Sequence, residues 1–220
     1  MKGLFIKDYS YIKQSKFLFL FLIIFGLGFS FIYDYHTFVY GYFSVFPSIM
    51  LMSTINYDDY NHGFTSLLSL PISKKEYIKQ KYCLGLILGL LFLAIAFIIS
   101  CLSYYRSLHS FQFLNSDLFC GCIMSLMFAY FIIALATPVA IYFGSQKGQL
   151  AMMVIFGGIF VMGFIIYFIF NLLGIDLKAW IDTIASSSIP FITLGIVVIT
   201  AILNFISYQI SIKIFNKKEY

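Results

Sequence analysis

Six long apolar runs constrain this chain more than any other feature. Each is long enough to cross a hydrocarbon core about 30 Å thick, and none contains Asp, Glu, Lys, Arg or His. The runs cover residues 17–33, 38–55, 82–102, 118–143, 150–170 and 189–212. With 61% hydrophobic and 10% charged residues, the chain has more apolar side chains than a water-facing domain can bury. The sequence therefore predicts a polytopic membrane protein with six spans.

The six runs are expected to be α-helices. Backbone polar groups in lipid need partners within their own segment or in a closed barrel, and the runs show no period-two alternation. The first run is followed by Tyr-Asp-Tyr at 33–35, which offers no small-residue cleavage site, so it is interpreted as a retained span and not a signal peptide. The predicted fold class is all-α, with residues 1–220 forming a single transmembrane domain.

The Lys and Arg residues predict the orientation of the chain. Those on one side of the six-span layout are Lys2, Lys7, Lys13, Lys16, Lys74, Lys75, Lys79, Lys81, Lys147, Lys213, Lys217 and Lys218. The other side has only Arg106 and Lys178, so the positive-inside rule places both termini in the cytoplasm. The net charge of +5 is thereby explained by topology, and no basic, aromatic-interleaved face for nucleic acid is predicted outside the bilayer.

Two segments outside the spans are predicted to lie at the membrane surface. Residues 1–16 form an amphipathic N-terminal helix, and the simplest interpretation of it is a surface anchor. Its apolar side is predicted to comprise Leu4, Phe5, Tyr9 and Ile12. The external loop 171–188 contains a short amphipathic helix at 174–184, which includes Trp180.

The loop 56–81 is predicted to contain two helices. An apolar stripe in the first comprises Tyr57, Tyr60, Phe64, Leu67 and Leu68. Pro71 is expected to end that helix, because proline interrupts helical hydrogen bonding. Ser73 and Glu76 then have the spacing of a capping box that starts a second helix leading into the third span. The alternative interpretation is that the lysines here only fix topology and the stripe only lies on lipid.

The chain shows no arrangement of residues typical of catalysis. His36, His62 and His109 fall in three separate loops, and the spans contain no carboxylate or histidine that could couple transport to an ion gradient. The glycines of segment 144–150 have the wrong spacing for a phosphate-binding loop. No catalytic, cofactor-binding or metal-binding residue is predicted, so any uphill transport must draw its energy from another subunit.

One segment resembles a known family. Ser69-Leu70-Pro71-Ile72-Ser73, followed by Lys74-Lys75 and by Lys81-Tyr82 at the start of the third span, is similar to the loop of ABC-2 transporter permeases of the small bacterial type. The opening MKGLFIKDY is also similar to the start of that family. The exporters of phenol-soluble modulins and of antimicrobial peptides are closest in size. This resemblance implies a type V exporter-like transmembrane domain in the bacterial plasma membrane.

The resemblance also implies partners. The first helix of loop 56–81 becomes a coupling helix that docks on a separate cytoplasmic ATPase, which binds ATP and Mg²⁺ in place of this chain. The implied docking residues are Asp58, Asp59, Tyr60, Phe64, Leu67, Leu68, Leu70, Pro71, Ser73, Lys74, Lys75 and Glu76. A second permease completes the complex, and the cargo is an amphipathic peptide or another hydrophobic substrate. The alternative is a non-transporting membrane anchor or accessory subunit that holds a soluble partner.

Overall fold

The structure, a computed structural model, describes residues 2–32, 36–60, 63–64, 72–108, 116–173 and 189–218. Its main helices are α1 (Lys2–Gln14), α2 (Lys16–Ile32), α3 (His36–Asp59), α4 (Lys74–Leu108), α5 (Ser116–Leu172) and α6 (Ile189–Lys217). All regular structure in these ranges is helical, which confirms the all-α prediction. The predicted external helix at 174–184 lies outside the described residues, as do Leu67, Leu68, Leu70 and Pro71 of the loop.

Helix α4 begins with the predicted capping box. The backbone amide of Ser73 donates to Glu76 Oε2 at 3.0 Å, and the amide of Glu76 donates to Ser73 Oγ at 3.2 Å. This reciprocal pair satisfies two amides that have no partner within the helix. The helix then continues without a break through the third apolar run to Leu108, so the prediction of one helix leading from the loop into the third span is confirmed.

Several of the described helices can cross a membrane. By length and hydropathy these are Lys74–Ser103, Gly121–Gly144 and Thr193–Lys217. The pair Gly3–Gln14 and Phe19–Ser30, bent by 59°, adds a fourth if it is counted as one span, and Phe156–Leu172 is apolar but shorter. The prediction of a multi-pass helical protein is thus supported, while the count of six spans stays a prediction.

Helix α5 contains the predicted fourth and fifth spans, and Gly144 separates them. This glycine has φ 69° and ψ −171°, a conformation that side-chain-bearing residues rarely adopt. A Cβ atom at Gly144 would also lie 2.5 Å from Asp59 Oδ2, and one at Gly148 would lie 2.7 Å from Asn56 Oδ1. The turn between the two halves of α5 therefore packs closely against the C-terminal end of α3.

The core lies around α3 and α4, which pack against each other and against α5. Phe92 of α4 is at its centre, with ring centroids 5.6 Å from Phe19, 6.2 Å from Phe43 and 6.1 Å from Phe46. Helix α6 packs chiefly on α5, and α2 packs on α3 and α4. The centre of the bundle is thus made of interlocking aromatic rings.

Helix α1 packs against the bundle, so it is more than the surface anchor that its sequence suggests. Leu4 and Asp8 are buried, and Phe5 and Ile12 contact the core. Tyr9, which the sequence places on the apolar side, is instead exposed. The face of α1 that meets α3 and α4 therefore contains a carboxylate.

Candidate functional site

Four charged side chains meet where α1, the C-terminal end of α3 and the N-terminal end of α4 come together, a region named the junction here. Lys81 Nζ lies 2.7 Å from Asp8 Oδ2 and 2.8 Å from Asp58 Oδ2. Lys7 Nζ contacts Asp58 Oδ1 and lies 3.7 Å from Asp8 Oδ1. Each lysine therefore bridges both carboxylates, and the four charges alternate in sign around a square whose formal charge is zero.

The charge square is mostly shielded from solvent. The exposed fractions of the Lys81, Asp8 and Asp58 side chains are 0%, 2% and 1%, whereas that of Lys7 is 33%. Charges removed from water are strongly destabilising unless they are paired and hydrogen-bonded. Lys7 is thus the member of the charge square that is accessible to water, whereas Lys81 is fully buried.

Neutral side chains complete the hydrogen bonding of the buried charges. Tyr77 donates its hydroxyl to Asp58 Oδ2 at 2.9 Å, and Gln80 Nε2 donates to Asp8 Oδ2 at 2.8 Å. Lys81 Nζ also donates to Thr54 Oγ1 at 3.2 Å and lies 5.4 Å from the centre of the Tyr77 ring. Because these groups come from α3 and α4, the two helices hold Asp58 and Lys81 in place independently of α1.

Beside the junction, Phe64 and the start of α4 pack against the end of α6. Phe64 is buried, and its ring centroid lies 5.5 Å from that of Tyr77 and 5.3 Å from that of Phe215 in α6. Lys74 Nζ donates to the backbone oxygen of Lys218 at 2.9 Å. Phe64, the start of α4 and the end of α6 are therefore packed together.

The structure separates the predicted docking residues into two groups. Asp58 and Phe64 lie inside the packing of this chain, and Asp59 is half-buried beside Gly144. The residues that face solvent are Tyr60, Ser73, Lys75 and Glu76, while Lys74 is half-buried. The remaining four predicted residues lie outside the described part of the chain, and the docking role stays a prediction for all twelve.

Sequence reasoning missed Asp8, Gln80 and the buried role of Lys81. A signal for Asp8 was present, because Leu4, Asp8 and Ile12 follow one another at intervals of four and so share one face of a helix. An acid on an apolar helix face requires a buried partner. The sequence does not identify that partner, because Lys81 is 73 positions away.

The junction is built from two carboxylates and two lysines. Within the ranges that the structure describes, no group of three or more His, Cys, Asp or Glu side chains is arranged to hold a metal ion. The charges neutralise one another and join three helices, so the arrangement is suited to transmitting movement between the loop and the spans.

A bundle of long apolar helices, with buried charges joining α1, α3 and α4, is typical of a multi-pass membrane protein. The chain belongs to the ABC-2 family of transporters: the family described as "ABC-2 family transporter protein" matches residues 3–216. No curated protein and no solved structure gives a match. Membership supports a role as the permease subunit of an ABC transporter and implies an ATPase partner.

Proposed function

We propose that this chain is the permease subunit of an ABC exporter, and that it moves an amphipathic peptide or another hydrophobic substrate out of a bacterial cell. The energy comes from ATP, which is bound with Mg²⁺ and hydrolysed by a separate cytoplasmic ATPase. The single observation that supports this most is the family match over residues 3–216. The distribution of lysines supports cytoplasmic termini, and the complex contains a second permease.

Docking of the ATPase is assigned to the solvent-facing part of the loop. Tyr60 has 65% of its surface exposed, and Lys75 and Glu76 are exposed at the start of α4. Tyrosine is enriched in protein interfaces, and the rim of an interface is polar and solvent-accessible. Asp58 and Phe64 act from inside the chain, because their contacts with Tyr77 set the position of the loop.

Transmission to the spans runs through α4. This helix extends from Lys74 beside the loop to Leu108, a distance of 35 residues. A helix rises about 1.5 Å per residue, so α4 is long enough to extend across a bilayer and beyond it. Since Lys81 and Tyr77 fasten its first turns to α3, a force applied at the loop displaces α4 as a rigid rod.

The hydrophobic cargo is supported by the surface of the described helices. The second half of α5 exposes apolar side chains on all sides, among them Phe160, Phe164 and Phe168. Its residues 156–172 contain no charge. A path bounded by such surfaces favours a substrate that partitions into lipid.

Transport by inverted membrane vesicles tests the proposed function. Vesicles containing the permease and its ATPase are incubated with a fluorescent amphipathic helical peptide, with ATP, and with either the active ATPase or a variant unable to hydrolyse ATP. We expect peptide accumulation only with the active ATPase. Full cellular function with the ATPase that cannot hydrolyse ATP would instead indicate an anchor that holds a soluble partner.

A further inference from the structure

Helix α1 is joined to the rest of the chain by a bend. Ser15 separates α1 from α2, and the axes of Gly3–Gln14 and Phe19–Ser30 differ by 59°. The amide of Ser15 donates to the oxygen of Ile12 at 3.0 Å, so the chain turns tightly at this point. A helix attached through one such turn can rotate about it as a unit.

The charge square divides into two neutral halves along the surface between α1 and the bundle. Lys7 and Asp8 both belong to α1, whereas Asp58 and Lys81 belong to α3 and α4. If α1 moves away, Lys81 keeps Asp58 at 2.8 Å and Thr54 at 3.2 Å. Neither half is left with a net charge, so separation avoids the large penalty of an unpaired buried ion.

Two cavities lie on either side of Tyr11, near the C-terminal end of α1. One, of about 850 Å³, is open to the surface and lined by residues that include Asn56, Tyr57 and Tyr60. The other, of about 290 Å³, is more enclosed and lined by residues that include Phe21 and Phe46. Tyr11, Ile49 and Ser53 line both cavities. The Tyr11 hydroxyl and Ser53 Oγ are hydrogen-bonded at 2.6 Å, so this pair forms the partition between them.

We propose that α1 is a hinged lid, turning at Ser15 and held shut by the charge square and the bond between Tyr11 and Ser53. Opening the lid joins the two cavities into one trough along α3. The trough is apolar at the end lined by Phe21 and Phe46, and it bears an amide and phenol groups at the end lined by Asn56 and Tyr57. This polarity matches an amphipathic cargo, so the inference deepens the proposed function and rests on it.

The reactivity of a thiol at position 53 reports the opening of the lid without reference to transport. The four cysteines are replaced by alanine, Ser53→Cys is introduced, and labelling by a water-soluble maleimide is timed in membranes. Adding Lys7→Met removes one corner of the charge square, and we expect labelling to accelerate about threefold or more. Lys13→Met is the matched control, because it removes a charge from an exposed position of the same helix and should leave the rate unchanged. Equal labelling rates in the Lys7→Met and Lys13→Met variants would contradict the proposal that the charge square holds α1 closed.

Locking the lid tests its role in transport. Tyr11→Cys and Ser53→Cys are combined in the cysteine-free chain and bridged by a bifunctional thiol reagent that a reductant cleaves. We expect bridging to abolish peptide accumulation in vesicles, and reduction to restore it, while the ATPase remains associated throughout. If the bridged chain transports as fast as the reduced chain, transport does not require α1 to open. The lid proposal is then wrong, and the proposed function stands. If the cysteine-free chain that keeps Tyr11 and Ser53 has no ATP-dependent transport, the proposed function fails, and the labelling rates still decide whether α1 opens.

Discussion

The junction and the second half of α5 are the most different regions of this molecule. The junction buries two carboxylates and a lysine, each with several partners. In α5, all residues from 160 to 169 are exposed. A Cβ atom added at Gly157, Gly158 or Gly163 would have no neighbouring atom within 4 Å. Apolar side chains in lipid need no protein partner, whereas charged ones do. The junction is therefore held by specific charged contacts, whereas this half of α5 has little packing against the rest of the described chain.

The largest expected effect is at Lys81. Lys81→Met leaves Asp8 and Asp58 with only the partly exposed Lys7 as counter-charge, and breaking a buried ion pair in this way costs about 3–5 kcal/mol of the free energy of unfolding. Thermal unfolding of the purified protein in detergent measures it. Lys79→Met is the control, since Lys79 is exposed in the same helical turn and its replacement should cost less than about 0.5 kcal/mol. Equal stability of the two variants would show that the charge square does not stabilise the junction.

A second comparison uses two phenylalanines. Phe64→Ala removes a ring packed on Tyr77 and Phe215, and we expect a loss of about 3 kcal/mol from the free energy of unfolding. Phe160→Ala, in the exposed half of α5, should change it by less than about 0.5 kcal/mol. The same unfolding assay measures both. Similar losses in the two variants would mean that the two regions are packed alike.

The third and smallest effect compares two glycines of α5. Gly144→Ala forces a side chain into a positive-φ conformation essentially confined to glycine, and toward Asp59, at a cost of about 1–3 kcal/mol in the free energy of unfolding. Gly157→Ala, in a helical segment with open space around it, should instead add about 0.5–1 kcal/mol. Opposite shifts in unfolding temperature are therefore expected, and shifts of the same sign would contradict the assigned break at Gly144.

The helices could be predicted because their causes are local. Long runs without charge predict spans, and the reciprocal hydrogen bonds of Ser73 and Glu76 follow from a spacing of three residues. The continuation of α4 from the loop into the third run needed no information from elsewhere in the chain. Periodicity and capping therefore account for most of what the sequence established about the fold.

The junction could be predicted only in part, because it is assembled from residues far apart in sequence. The sequence places Asp58 and Lys81 near opposite ends of loop 56–81 and does not predict that they meet. Their burial depends on α1 covering them with Asp8, and no local pattern specifies that contact. Phe64 was similarly assigned to an outward-facing stripe, although α6 provides Phe215 to bury it.

The most direct test of the account is photocrosslinking from two positions. A photoreactive phenylalanine derivative replaces either Tyr60, beside the junction, or Phe160, in the second half of α5. The Phe160 side chain is 78% exposed. Both positions face outward, so neither substitution should disturb folding. We expect position 60 to crosslink to the ATPase subunit, and position 160 to crosslink to lipid, a second permease or the cargo but not to the ATPase. Crosslinking of the ATPase from position 160 but not from position 60 would contradict the account.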